Sequence, residues 1–275
     1  MDQFERTIAG DDAGIDLARA ALAIAADEYP GLDPAPTLAA IDALAAAARE
    51  RIGDAADRDA TLAAVDHQLF TVAGYTGNAT DYYDPRNSYL NDVVGRRTGI
   101  PITLSILYLE VAERLGLRLE PVSFPGHFLL RTVGDGAPVI VDAFHRGARV
   151  GHETLVERLV PILGDRTAAG AYLPRALAPA PRREVVARML RNLKAIHLQA
   201  GDWPRALQVL GRMLALAPDD PTELRDRGHV LTRLQAWHAA RDDYRRYLEL
   251  APDAADAADI RARVEALAPL AGRLN

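Results

Sequence analysis

The chain has 275 residues, of which 49% are hydrophobic and 25% charged, a globular composition that excludes disordered and fibrous classes and allows two domains at ~150 residues each. Cysteine is absent, which removes disulfides, thiolate metal sites and every cysteine nucleophile, and a formal net charge of −6 offers no basic surface for nucleic acid. Lys194 is the only lysine, so no Gly-x-x-x-x-Gly-Lys phosphate loop can form. The acidic start MDQFERTIAGDD lacks the basic and apolar regions of a signal peptide, and no apolar run approaches ~18 residues. A cytoplasmic protein without membrane segment or cofactor is expected.

From Asp11 to about Gly77 apolar residues recur at three and four residue spacing, as in Ile15, Ala18, Leu22 and Ala25, or Leu38, Ile41, Leu44 and Ala48. This spacing predicts amphipathic helix. Breaks at Tyr29-Pro30-Gly31 and Gly53-Asp54 divide the stretch into three helices, an antiparallel lead-in.

The middle of the chain, Tyr82 to about Gly164, changes character and predicts an α+β region. An irregular Asp/Tyr/Asn/Pro stretch precedes one apolar helix, Pro101 to Leu115, with proline at its first turn and Gly116 at its end. Three strand-length runs follow, Leu117 to Phe124, His127 to Val133 and Pro138 to Phe144, the last two joined by the hairpin signal Gly134-Asp135-Gly136. An antiparallel meander is expected.

Residues 165–183, rich in Ala, Pro and Arg without a period, predict a connection. The expected domains are therefore 1–165 and 184–275, with a linker over 166–183. In the second, LALAPDD at Leu214 to Asp220 matches LELAPDA at Leu248 to Ala254, and Ala206 matches Ala240, all at a spacing of 34. That period, with small residues at Ala206, Gly228 and Ala240 and prolines at Pro218 and Pro252, resembles the tetratricopeptide repeat; Lys194 stands where the first unit's small residue belongs. Helix pairs are implied, closed by a capping helix over Ala255 to Leu270.

Chemistry concentrates between Arg96 and Phe144. The order helix, His127, Asp142 resembles the transglutaminase-like, papain-related core, in which a Gly-x-Cys opens a helix, a histidine activates the thiol and an aspartate orients the histidine. Here the register falls on Gly99-Ile100-Pro101, so Pro101 takes the nucleophile's place. Thr103 and Ser105 are the nearest hydroxyls on the same helix. The segments NSYLNDVVGRRTGIPITLSILYLEVAERLGL, PGHF and VDAF, followed by the repeats, resemble the SirB-type transglutaminase-like/tetratricopeptide family of bacterial regulator-like proteins. The resemblance implies a regulatory, protein-interacting role and directs attention to Asn87, Ser88, Tyr89, Asn91, Arg97, Gly99, Pro101 and Gly126.

Each of these residues also has a structural reading. His127 and Asp142 can form a retained hydrogen bond with no catalytic task, with Arg97 as another partner for the carboxylate. Asn87, Ser88 and Asn91 can turn or cap the chain ahead of the helix. His127, Asp142, His145 and His152 lie close in sequence but match no ligand signature, so no metal site is expected. The favoured expectation is a non-catalytic scaffold whose repeats bind an acidic protein segment through Arg191, Asn192, Lys194, Arg225, Arg227 and His229. The alternative is an amide or ester hydrolase or acyltransferase using Ser105 or Thr103 with His127 and Asp142.

Overall fold

Aspartate caps determine where several helices begin. In the computed structural model, which describes residues 1–52, 57–134 and 136–271, α1 (Gln3–Thr7) opens on Asp2, α2 (Leu17–Glu28) on Asp16 and, after α3 (Ala35–Ile52), α4 (Arg58–Asp66) on Asp57. Each carboxylate accepts a hydrogen bond from a first-turn N–H that has no carbonyl within the helix, and its charge complements the helix dipole. The expected break at Tyr29-Pro30-Gly31 separates α2 from α3, while Gly53-Asp54 lies outside the described residues. α2 differs from the expected amphipathic helix: Leu17, Ala18 and every residue from Ala20 to Ala25 are buried. Alanine leaves room for neighbours on all sides, so the helix becomes core rather than surface.

The irregular stretch ahead of α6 carries more structure than its composition suggests. The end of α4 widens into a π-helical turn over His67–Val72, and β1 (Thr76–Gly77) pairs in parallel with β2 (Thr98–Gly99) around α5 (Leu90–Arg96). Elements this short leave no periodic signal. α6 (Pro101–Arg114) follows the proline and glycine signals, ending before Gly116 at φ +85°, and all of its residues from Pro101 to Ala112 are buried.

β3 (Leu119–Val122), β4 (Leu129–Thr132) and β5 (Ile140–Asp142) form the expected antiparallel meander, extended by an unexpected β6 (Ala148–Arg149). Of the hairpin signal, Asp135 lies outside the described residues, and Gly134 and Gly136 hold positive φ. α7 (His152–Leu163) and α8 (Arg166–Ala176) bury Leu155, Val156, Leu159, Ala169 and Leu173 in one cluster with Val122, Phe124, Leu129 and Ile140. The stretch expected to be a linker is therefore largely packed helix. Ala169, Leu173 and Ala176 already had helical spacing, masked by the surrounding Ala and Pro.

Two compact units result, Met1–Met189 and Leu190–Asn275, with α9 (Arg182–Ala200) running from the first into the second. The second unit continues through α10 (Trp203–Leu216), α11 (Pro221–Arg233), α12 (Trp237–Leu250) and α13 (Ala257–Ala271). The 34-residue period marks close helix contacts. Ala206 and Ala240 are fully buried, and a Cβ on Gly228 would stand 2.5 Å from the Tyr244 ring, so only glycine lets α12 approach α11 this closely. α13 adds Ile260 and Leu267 to the cluster around Tyr244 and Tyr247, the sealing layer that a short solenoid needs.

Candidate functional site

Asp142 ends β5 with its side chain wholly buried. Oδ1 accepts from His127 Nε2 at 2.9 Å and from the His145 backbone N–H at 3.3 Å, while Oδ2 accepts from His145 Nδ1 at 2.9 Å and from Arg158 Nη1 at 3.0 Å. Burial pushes this carboxyl up, but the hydrogen bonds and charges of His127 and His145 outweigh it and hold the group well below the usual carboxylate range. An ionised carboxylate only accepts, so the ring nitrogen that each histidine turns towards it carries the proton.

Two turns deliver these groups. Phe124-Pro125-Gly126 reverses the chain with Gly126 at φ +71°, placing His127 in the turn before β4 rather than on the strand expected for it. Arg188 pins that turn, donating to Ser123 Oγ at 2.7 Å, to Phe124 O at 3.1 Å and to His127 O at 2.6 Å. After β5, the Gly147 N–H donates to Asp142 O at 2.9 Å and folds His145 back onto the carboxylate. The His127–Asp142 contact expected from the order of residues is present. Arg97 is not the second partner: it is exposed, in a left-handed conformation at the end of α5, and the guanidinium at Asp142 belongs to Arg158 of α7. Arg158 and Arg188 carry no motif; only the spacing of His145, three residues beyond Asp142, was a usable signal.

The residues expected at or near a nucleophile's place lie at the start of α6. Pro101 is the buried first residue of α6. Thr103 Oγ1 donates to Asn87 O at 2.7 Å and accepts from the Ile100 N–H at 3.2 Å, and Ser105 Oγ is buried without a hydrogen-bond partner. Among the described residues no hydroxyl hydrogen-bonds to the His127 ring. Gly99, in β2, is needed for close packing, since a Cβ there would lie 2.9 Å from Thr103 Oγ1.

Of the remaining motif residues, Asn87 organises the loop that reaches this site. Buried Asn87 donates through Nδ2 to Asp81 O at 2.8 Å and Tyr82 O at 3.3 Å, and accepts from Asn78 Nδ2 at 3.2 Å, tying the 78–88 loop together. Ser88 Oγ and Asn91 Oδ1 are buried without hydrogen-bond partners, and buried Tyr89 packs edge-on against Tyr29. The tied loop presents Tyr82 to Phe144, which stands edge-on to both His127 and His145. Tyr83 is 63% exposed beside Tyr82, so aromatic rings rim the Asp142 cluster. His152 is not in the cluster; it is exposed next to Glu153.

In the second unit, most of the cations expected to meet a partner are neutralised internally. Lys194 Nζ lies 2.6 Å from Glu223 and 2.5 Å from Asp226, Arg225 pairs with Asp226 and Asp256, and Arg227 makes a two-pronged contact with Asp243 at 2.7 Å. Arg191 and Asn192 lie on α9. His229 instead lines a cleft of about 560 Å³ with Trp203, Arg233, Trp237, Tyr244 and Arg263. Its Nε2 is buried without a partner, and burial together with the Arg263 charge pushes the imidazole pKa down. Trp203 and Trp237 stand 34 residues apart, one at the start of each repeat's second helix, a periodic signal for this cleft that the small-residue pattern overshadowed.

Comparison with known proteins agrees with both halves. The description "Transglutaminase-like superfamily" matches residues 35–191, and "Tetratricopeptide repeat" matches 193–265. A UPF0162 protein of Xylella fastidiosa (strain 9a5c) is 41% identical over 242 residues, 88% of this chain and 86% of that protein. A UPF0162 protein of Vibrio cholerae is 33% identical over 195 residues, 70% and 71% of the two chains. F-box only protein 21 of Mus musculus is 33% identical over 187 residues, 64% of this chain and 28% of that longer protein. Among the described residues no helix is long and apolar enough to cross a membrane. A half-buried histidine on a buried aspartate, after a proline-opened helix in the chain and before 34-residue helix pairs, is thus the form that the transglutaminase-like superfamily takes in this chain, which belongs to the UPF0162 proteins.

Proposed function

We propose that the chain is a non-catalytic interaction scaffold whose second unit takes an acidic protein segment carrying an apolar anchor. The observation that supports the non-catalytic part is that, among the described residues, no hydroxyl hydrogen-bonds to the His127 ring: Thr103 Oγ1 donates to Asn87 O and Ser105 Oγ is buried without a partner, while Pro101 stands in the register where the family resemblance puts the nucleophile. Acyl transfer needs a nucleophile within hydrogen-bond reach of its base, and the pair His127–Asp142 supplies only the base and its orienting group. The hydrolase or acyltransferase reading with Ser105 or Thr103 therefore keeps half of its machinery.

Charge supports the choice of partner. Arg233 and Arg263 line the cleft and have no carboxylate partner among the described residues, whereas Lys194, Arg225 and Arg227 are already paired. Trp203, over whose ring the Arg233 guanidinium lies at 5.5 Å, and Trp237 line the same cleft, and such aromatic surfaces with arginine neighbours carry much of the binding energy in protein interfaces. The regulatory role implied by the family resemblance is that of a protein acting by binding. Selection of peptides from a random library by the full chain tests this. Acidic peptides with an aromatic or aliphatic anchor are expected, and the double change Arg233→Glu with Arg263→Glu removes their binding. Selected peptides without acidic residues, or binding indifferent to the double change, reject the assignment, as does covalent labelling of Ser105 or Thr103 by a fluorophosphonate probe.

A further inference from the structure

We propose that His127, Asp142 and His145 form a binding site for a divalent transition-metal ion of the zinc class. The proposal does not depend on the scaffold reading. One ligand atom from each residue can be chosen so that all lie within 4.8 Å of one another. The contacts along the carboxylate are 2.9 Å from His127 Nε2 to Oδ1 and 2.9 Å from His145 Nδ1 to Oδ2. A tetrahedral ion with bonds of ~2.1 Å separates its ligand atoms by about 3.4 Å, between the 2.9 Å of these two contacts and the 4.8 Å that bounds the whole set, so small side-chain shifts bring one carboxylate oxygen and both imidazoles around an ion. Two imidazoles and one carboxylate are a donor set suited to zinc, with further coordination positions left to water or a ligand.

The surroundings separate fixed donors from a movable one. Asp142 is wholly buried at the end of β5, and the Arg188 contact to the His127 carbonyl fixes the turn that carries the imidazole. His145 has a side chain 55% exposed, which gives an ion a route in and leaves its outer side to solvent. Ligation requires lone pairs at Nε2 of His127 and Nδ1 of His145. A ring supplies one by carrying a proton only on its other nitrogen, any second proton passing to solvent as the ion enters, so no redox partner or further reactant is needed.

Arg158 is the competitor. Its Nη1 sits 3.0 Å from Asp142 Oδ2, where it balances the carboxylate charge that an ion would otherwise balance. The Arg158 side chain is 30% exposed on α7, so its guanidinium can turn to solvent as the ion enters. This makes a prediction of opposite sign for neighbouring side chains: removing His145 weakens binding, and removing Arg158 strengthens it.

The test is a titration of the full chain, stripped with chelator, with Zn²⁺ in competition with a chromophoric chelator, and with Co²⁺ followed by its visible absorption. The expected result is one ion per chain with a tetrahedral Co²⁺ spectrum. His127→Ala and His145→Ala should each weaken binding at least about tenfold, Arg158→Ala should tighten it, and His152→Ala should leave it unchanged. Since His145 is exposed, His145→Ala keeps the test decisive where a variant of a buried residue fails to fold. No one-to-one binding at about 100 μM metal, or affinity unchanged in His145→Ala, overturns the proposal.

Discussion

Asp142→Ala tests whether one buried charge organises the first unit. The substitution removes the acceptor of four hydrogen bonds, from His127 Nε2, His145 N, His145 Nδ1 and Arg158 Nη1. Their costs are unequal. The His145 and Arg158 side chains are 55% and 30% exposed and can recover water, whereas the His127 side chain is 15% exposed and leaves a largely buried N–H without an acceptor. An unsatisfied buried donor costs ~1–3 kcal/mol, and breaking a buried ion pair from one side ~3–5 kcal/mol, so partial resolvation places the loss at about 3 kcal/mol. For a protein of this size that lowers the melting temperature by roughly 6–12 °C. Urea unfolding followed by far-ultraviolet circular dichroism measures it. Both tryptophans, Trp203 and Trp237, lie in the second unit, so their fluorescence reports separately on Leu190–Asn275. A loss below about 0.5 kcal/mol would show that the carboxylate is dispensable and refute its organising role.

Further outcomes can be checked with the same protein. Because the folded-state pKa of Asp142 lies below its unfolded value, near ~3.9, its contribution is complete above that value and is lost as pH falls through the folded one. The stability gap between the wild type and Asp142→Asn should therefore shrink from pH 5 to pH 3 in urea titrations, and a gap that widens contradicts the assignment. Gly228→Ala should destabilise the second unit by ~1–3 kcal/mol, since its Cβ meets the Tyr244 ring at 2.5 Å, although helix propensity alone predicts a gain of ~1 kcal/mol; tryptophan fluorescence gives the sign. Ser105→Ala removes a buried hydroxyl that has no partner, so stability in urea should be unchanged or rise by up to ~1 kcal/mol, and a loss above that amount would reveal an interaction of the hydroxyl.

Legibility in the sequence followed the range of the interactions involved. α6 could be read because proline and glycine mark its ends locally, and the repeats because Ala206 and Ala240 are dictated by helix contacts that recur every 34 residues. α8 was hidden, although Ala169, Leu173 and Ala176 have helical spacing, because the flanking alanines and prolines supply the composition of a connection. Within the site, the order of His127 and Asp142 survives in the sequence, but the choice between Arg97 and Arg158 depends on how α7 packs beneath the sheet, which no local pattern records. The same applies to the partner surface. Arg225 and Arg227 read as available charge until the fold sets Asp256 and Asp243 against them.

The His127–Asp142 pair has a structural role that does not depend on catalysis. An aspartate at the buried end of β5 is tolerated only if donors compensate for its desolvation, and His127, His145 and Arg158 provide that compensation from two turns and a helix. In return the carboxylate joins the turn before β4 to the turn after β5 and ties both to α7. The pair thus maintains the shape of the site whether or not chemistry occurs there. Loss of fold in Asp142→Ala is consequently no sign of catalysis. A catalytic role requires activity that disappears with His127→Ala while stability is retained, and among the described residues neither Thr103, bonded to Asn87 O, nor Ser105, buried without a partner, hydrogen-bonds to that ring.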